Sequence, residues 1–275
     1  MGWEQKQVDF NTSMLHDSAY CKEWAESHKE RWSGCNAWIS YYPPTLSLVL
    51  AETGMPGVMM CPVRFDMGYL CDGMIKRLQE HIDAGRIVPA ADSRYDAAYF
   101  EFFVKRPCKY VRPVCKYFTE RAPGPSGKTW AIDSRTSMPS CPDTAWLTNK
   151  NWEELRFKGF IHFPYNVGVI SAHERLMAGY GYLVPSQDML RSLWLKLPQG
   201  RVQNRLEIDW SPTGRQFPWE DNMGLMDWYS GDYPNVSTFS EHSDLERIIQ
   251  NPPELQTMCD ETGITEWETI LKELS

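Results

Sequence analysis

The stretch richest in chemistry runs Gly159-Phe160-Ile161-His162-Phe163-Pro164-Tyr165-Asn166-Val167-Gly168-Val169-Ile170-Ser171-Ala172-His173-Glu174 and ends at Tyr182-Leu183-Val184-Pro185-Ser186. Its pattern predicts a strand, a loop holding Pro164 and Gly168, a helix opening at Ser171, and a second strand. Amides between Gly168 and Ala172 would point out of the helix start, where hydrogen bonding and the helix dipole favour phosphate. Glycine at 168 lets a ligand approach the backbone closely. Glu174 has two readings. Ser171-Ala172-His173-Glu174 spells a capping box, in which Glu174 satisfies only an amide at the helix start. A carboxylate there can also accept both hydroxyls of a ribose. His173 can donate to phosphate when protonated, although an unperturbed imidazole is mostly neutral at pH 7. Arg135, in Asp133-Ser134-Arg135-Thr136-Ser137, follows a strand-like run. It can pair a β-phosphate and stabilise a leaving diphosphate, or it is a solvated loop arginine.

These groups need elements to hold them. At 275 residues the chain can build one large domain or two of about 120 to 150 residues each. It is 42% hydrophobic and 23% charged, without an apolar run near the roughly 20 residues that span a bilayer. The start, Met1-Gly2-Trp3-Glu4-Gln5-Lys6, lacks the features of a signal peptide, so a cytoplasmic protein with no membrane span is expected. A net charge of -8 argues against nucleic acid as partner but leaves room for one small anionic ligand. The eight cysteines form no C-x-x-C and read as free thiols, and no metal site is spelled. Twelve Trp, 13 Tyr and 11 Phe suit core filling or flat platforms for sugars.

Two prolines and two glycines within 120–128 predict an inter-domain linker. Before it, strand-like runs at 37–41, 57–61 and 86–90 alternate with helical stretches, notably 70–84, where Met74, Ile75, Leu78 and Ile82 share a face. After it come strands at 129–132, 160–163 and 182–184, with helices at 152–157 and 172–177. Ser243-Asp244-Leu245-Glu246 and Thr265-Glu266-Trp267-Glu268 read as capping boxes of two further helices. The alternation predicts an α/β fold with parallel sheets, and ligands collect beyond the carboxyl ends of such strands.

Trp152-Glu153-Glu154-Leu155, Lys158-Gly159, His162-Phe163-Pro164-Tyr165-Asn166, Ser171, Glu174 and Val184-Pro185-Ser186 together resemble the donor half of exostosin-like GT-B glycosyltransferases. The first half adds Tyr42-Pro43-Pro44 with Ser47, the run 57–64, Asp92-Ser93-Arg94-Tyr95-Asp96 and Tyr110-Val111-Arg112-Pro113. The likeness spans about residues 38–272 and is greatest to the small soluble glycosyltransferases that chloroviruses encode. It implies a GT-B fold: an acceptor-binding Rossmann-like domain over 1–125 and a donor-binding one over 129–275, with C-terminal helices crossing back to the first. The implied activity is metal-independent, inverting transfer of a sugar, best taken as xylose from UDP-xylose, to a hydroxyl of an oligosaccharide or glycoprotein, an N-glycan of a viral capsid protein. No resident cofactor is implied. The donor residues carried over are Arg135, His162, Phe163, Tyr165, Asn166, Gly168, Ser171, His173 and Glu174, and Arg64 would touch the acceptor. His162, otherwise a core histidine, would line the base pocket with its backbone. Glu174-Arg175 and Tyr180-Gly181-Tyr182 depart from the family pattern, so the sugar pocket would differ in shape.

Transfer of this kind needs a group to remove the acceptor proton. Asp66 and Asp92 both follow strands of the first half and are the candidates, with His16 and Asp72 behind them. Asp92 has a second reading as the cap of a helix from Ser93, and Asp66 as a partner of Arg64. A glycan-binding module without catalysis and a nucleotide-sugar epimerase are the competing functions.

Overall fold

The structure, a computed structural model, describes residues 15–62, 64–66, 70–115, 124–133, 143–146, 157–164, 170–196, 216–256, 258 and 261–274. It is an α/β fold with two all-parallel sheets, compatible with two Rossmann-like domains. Part of the predicted linker, 120–123, and most of the predicted helix 152–157 lie outside the described residues.

The first sheet takes its strands in chain order: β1 (Trp38–Ser40), β2 (Gly57–Cys61), β3 (Ile87–Ala91) and β4 (Lys109–Tyr110). Right-handed crossovers between consecutive strands place every connecting helix on the same face. Accordingly α2 (Ser47–Leu50), α3 (Asp72–Asp83) and α4 (Arg94–Val104) share one cluster with Met59, Cys61 and Ala91, and α1 (Ser18–Ser27), which precedes β1, joins it. The opposite face, with Val58, Met60 and Ala90, would be left wet.

The second sheet runs in the order β6-β5-β7-β8-β9, from β5 (Trp130–Asp133), β6 (Thr144–Trp146), β7 (Gly159–His162), β8 (Gly181–Pro185) and β9 (Val236–Phe239). On one face α5 (Ile170–Met177) and α6 (Gln187–Lys196) join Phe160, Tyr182 and Val184. On the other, α7 (His242–Gln250) supplies Leu245, Ile248 and Ile249 to Trp130, Ile132, Ile161 and Leu183. The chain then returns to the bare face of the first sheet, where α8 (Glu261–Glu273) sets Ile270 and Trp267 on Val58, Met60, Ala90 and Val111. Each fully buried aliphatic side chain of this kind contributes about 1.5–3 kcal/mol. Gly263 permits the close approach, since a Cβ there would lie 2.8 Å from the Arg112 carbonyl oxygen.

Both tail capping boxes are misplaced in the sequence reading. The α7 cap position is Glu241, with no side-chain bond to the helix, and Ser243 lies inside the first turn donating to the Glu241 carboxylate at 2.6 Å. Helix α8 opens four residues before Thr265, whose hydroxyl donates back to the Glu261 carbonyl. A motif of two polar residues recurs within amphipathic helices, so the pattern alone does not mark where a helix begins. No helix among the described residues is long and apolar enough to cross a membrane.

Candidate functional site

At the carboxyl edge of the first sheet, β2 ends at Cys61 and the chain descends through Arg64, Phe65 and Asp66, all three buried. Phe65 fixes this turn with ring contacts to Phe100 at 4.9 Å and Tyr99 at 6.0 Å. The Tyr99 hydroxyl lies 3.4 Å from both Asp66 oxygens. From β3 the chain passes to Asp92 and then Ser93, which is the cap of α4. Its Oγ accepts the Asp96 amide at 2.9 Å and donates to Asp96 Oδ2 at 2.7 Å. The capping reading of Asp92 is thereby corrected: the shorter hydroxyl side chain takes that role and leaves the Asp92 carboxyl free of it. Arg64 Nη1 stands 3.8 Å from Asp96 Oδ1. Arg64, expected on the acceptor, is thus engaged inside the fold at 2% exposure. Burial pushes the Asp92 pKa well above the carboxylate range, and the charges of Asp96 and Asp227 push it further. Its own backbone amide and Arg64 pull the other way and do not win. His16 and Asp72 are both exposed near the start of α3, apart from these buried groups.

In the second sheet the strand order reverses between β5 and β7, since β6 lies to one side and β8 and β9 to the other. Such a switch point opens a crevice beyond the carboxyl ends of the two strands. Arg135 follows β5 in sequence and Tyr165, Asn166 and Gly168 follow β7; all four lie outside the described residues. His162 closes β7, buried, with its ring 4.7 Å from Trp228 and 6.1 Å from Tyr182. Phe163 turns to the opposite face, 5.7 Å from Phe239. The Pro164 carbonyl is held by Trp194 Nε1 at 2.8 Å.

Helix α5 opens at Ile170, so Ser171 lies within it and is not its cap. Ser171 and Glu174 are half-buried, while His173 is 3% exposed. The His173 ring faces inward: Nε2 lies 2.9 Å from Asp227 Oδ2, and Nδ1 is bonded to the Tyr233 hydroxyl. Both ring nitrogens are engaged, which removes the phosphate contact expected of this side chain. Arg175, the departure from the family pattern, is also internal, donating to the Tyr182 hydroxyl at 3.1 Å and lying 4.4 Å above the Phe160 ring.

The residues 216–235 join the two sheets; their aromatic cluster, Trp219, Trp228, Tyr229 and Tyr233, reads in the sequence as packing near the point where the tail crosses back to the first domain. Phe217 meets Tyr95 and Tyr99 of α4 edge-on at 5.2 and 5.4 Å. The Tyr229 hydroxyl donates to the Pro185 carbonyl at the end of β8. Asp232 receives Arg94 through two bonds of 2.7 and 3.0 Å and Arg112 at 3.3 Å. Burial tends to raise the Asp232 pKa, but the two guanidiniums outweigh it and hold the carboxyl below its usual range. Asp227 goes the other way: burial lifts its pKa, and the His173 contact only offsets part of that. Through Phe217 on α4 and Tyr229 on the end of β8, this segment spans from the first sheet's helices to the carboxyl end of a strand in the second. Asp96, Asp227 and Asp232 are the charged members that sequence reasoning missed: Asp96 lies inside α4, and the other two sit among aromatic residues that read as ordinary core.

A separate pocket of about 580 Å³ lies between α1 and the turn before β2, lined by Lys22, Lys29, Trp32, Glu52 and Met55 among others. It is at the amino end of β2, and none of the candidate groups lines it. Comparison of the chain with protein-family models, with curated proteins and with solved structures finds no match.

Proposed function

We propose that the chain is a GT-B-type glycosyltransferase that moves a sugar, best taken as xylose, from a UDP-sugar to a hydroxyl of a glycan. The observation that carries this reading is the pairing of two parallel sheets, one with a switch-point crevice between β5 and β7 and the other with a buried carboxylic acid, Asp92, at its carboxyl edge, bridged by 216–235 through Phe217 on Tyr95 and Tyr229 on Pro185. In this reading the uridine diphosphate lies beyond β5 and β7, its ribose on Glu174 and its phosphates near Arg135 and the opening of α5. Asp92 takes the proton of the acceptor hydroxyl as that oxygen attacks the anomeric carbon. The bond from that carbon to the diphosphate oxygen breaks, and UDP leaves with the electron pair. Asp92 suits the part better than Asp66, because Asp66 is bound to Tyr99 whereas the raised pKa of Asp92 makes its carboxylate the stronger base. The reaction runs without a resident cofactor, with the oligosaccharide or glycoprotein as second substrate.

The test is to incubate the full chain with a panel of UDP- and GDP-sugars and follow binding and slow hydrolysis by NMR. Selective binding and hydrolysis of one UDP-sugar support the assignment. Conversion of the donor to an isomer without acceptor marks an epimerase instead, and glycan affinity with no nucleotide affinity marks a binding module.

A further inference from the structure

The carboxyl edge of the first sheet is closed on one side and open on the other. On the β4 side Asp232 holds Arg94 and Arg112, Glu266 accepts the Arg112 amide at 2.8 Å, and Arg94 covers the Tyr110 ring at 4.6 Å. On the β1 side the chain leaves Ser40 and turns through Tyr41 and Tyr42, which are 47% and 64% exposed. Buried Ser40 braces this turn by donating its hydroxyl to the carbonyls of Pro43 and Pro44 at 3.2 and 3.1 Å. A short 3-10 turn, Pro44–Leu46, continues it with Pro44 and Thr45 buried. Two aromatic faces are therefore held outward on a stiff support, so little ordering entropy is lost when something stacks on them.

Tyr41 is also tied to the buried acid. It follows β1 as Asp92 follows β3, and because both strands run parallel to β2 the two residues stand at the same carboxyl edge; burial and then the charges of Asp92 and Cys115 push the Tyr41 hydroxyl up to about 12. An aromatic face beside a carboxyl suits a sugar ring, which offers C–H bonds to the face and hydroxyls to the acid. An aliphatic protein surface would leave the carboxyl without a partner.

We propose that Tyr41 and Tyr42 form the platform on which a sugar ring of the acceptor glycan stacks, so that its hydroxyl is presented to Asp92 from the β1 side. This rests on the glycosyltransferase reading for its acceptor, although glycan binding can be measured without turnover.

The experiment is saturation-transfer NMR on the full chain with methyl glycosides of xylose, fucose, glucose and galactose and oligosaccharides built from them, alongside UDP titration. The variants are Tyr41→Ala, Tyr42→Ala, the double variant and Tyr42→Phe. Glycan affinity about tenfold weaker in each alanine variant and retained in Tyr42→Phe, with UDP affinity unchanged, is the expected result. Unchanged glycan affinity in the double variant overturns the platform. Failure of every glycan to bind the wild-type chain, with UDP-sugar hydrolysis intact, overturns it while leaving the transferase reading standing. Glycan binding lost in the tyrosine variants, in a chain that neither binds nor hydrolyses any UDP-sugar, supports the platform and sinks the transferase. Loss of a dimer on size exclusion in the double variant marks the surface as a contact between copies and also overturns it.

Discussion

His173 Nε2 lies 2.9 Å from Asp227 Oδ2, and that contact ties the opening of α5 to the segment that joins the two sheets. Both side chains are almost wholly buried, and the Tyr233 hydroxyl occupies the other ring nitrogen. The imidazole is thus a structural link between the opening of α5 and the segment that carries Asp227 and Tyr233. An isolated buried carboxylate is costly, and its partner sets how much of that cost remains.

Removing that partner should therefore be felt globally. His173→Ala leaves Asp227 buried with its strongest offset gone, and a loss of about 3 kcal/mol in unfolding free energy is expected, with a matching fall in the urea midpoint. Asp227→Asn, which removes the charge and keeps the shape, should be the milder change. An unaltered midpoint for His173→Ala would show that the contact carries no stability.

Glu174 lies on the same helix, half-buried and on a different side from His173. If it accepts ribose hydroxyls, Glu174→Ala should weaken UDP about 10- to 100-fold, the range for losing charge-assisted hydrogen bonds, with the melting temperature nearly unchanged. Calorimetric titration with UDP decides it: equal affinity in the variant removes Glu174 from the donor site.

How far the sequence reaches can be judged from these same residues. Strands β2, β3, β7 and β8 and helix α3 were legible because apolar runs and 3.6-residue spacing mirror burial directly. β4 and β6 have two and three residues, too few for a pattern to emerge, and β9, Val236–Phe239, carries two polar residues and fully encloses only Phe239. At the site, Asp92 was found as a strand-end acid, but its freedom from capping depends on Ser93 taking Asp96, which only coordinates reveal. The contacts of Asp227 and Tyr233 to His173 were invisible for another reason. They span 54 and 60 residues of sequence, and the Trp- and Tyr-rich run around both reads as packing.

Two glycines should respond in opposite directions to the same substitution. Gly159 opens β7, and a Cβ there would lie 2.5 Å from the Trp130 ring and 2.6 Å from the Gly181 carbonyl oxygen. Neither neighbour yields easily, so Gly159→Ala should cost about 2–3 kcal/mol. At Gly73, in the first turn of α3, the nearest atom is His16 Cβ at 3.6 Å. Gly73→Ala should stabilise by about 0.5–1 kcal/mol through the entropy of the unfolded chain. Chemical denaturation of the two variants side by side tests both, and a destabilised Gly73→Ala would mean that α3 begins differently.

Asp92 should show function and stability opposed in one side chain. Its pKa is raised in the folded chain, chiefly by burial and then by Asp96 and Asp227. The unfolded chain releases this proton first as pH rises through the ordinary carboxylate range. The stability it contributes is therefore complete below that range and is lost as pH climbs through the raised folded value. At neutral pH the group is a net liability, and Asp92→Asn should raise the melting temperature by about 2–4 °C for each kcal/mol so recovered. As a base the same carboxyl works only when ionised, so sugar transfer should increase with pH through the raised value and level off above it. Asp92→Asn should lose at least about 100-fold in kcat while UDP affinity holds. A variant that is stabilised yet fully active would separate the two roles and return the base to Asp66, whose own Asn variant then becomes the decisive one to assay.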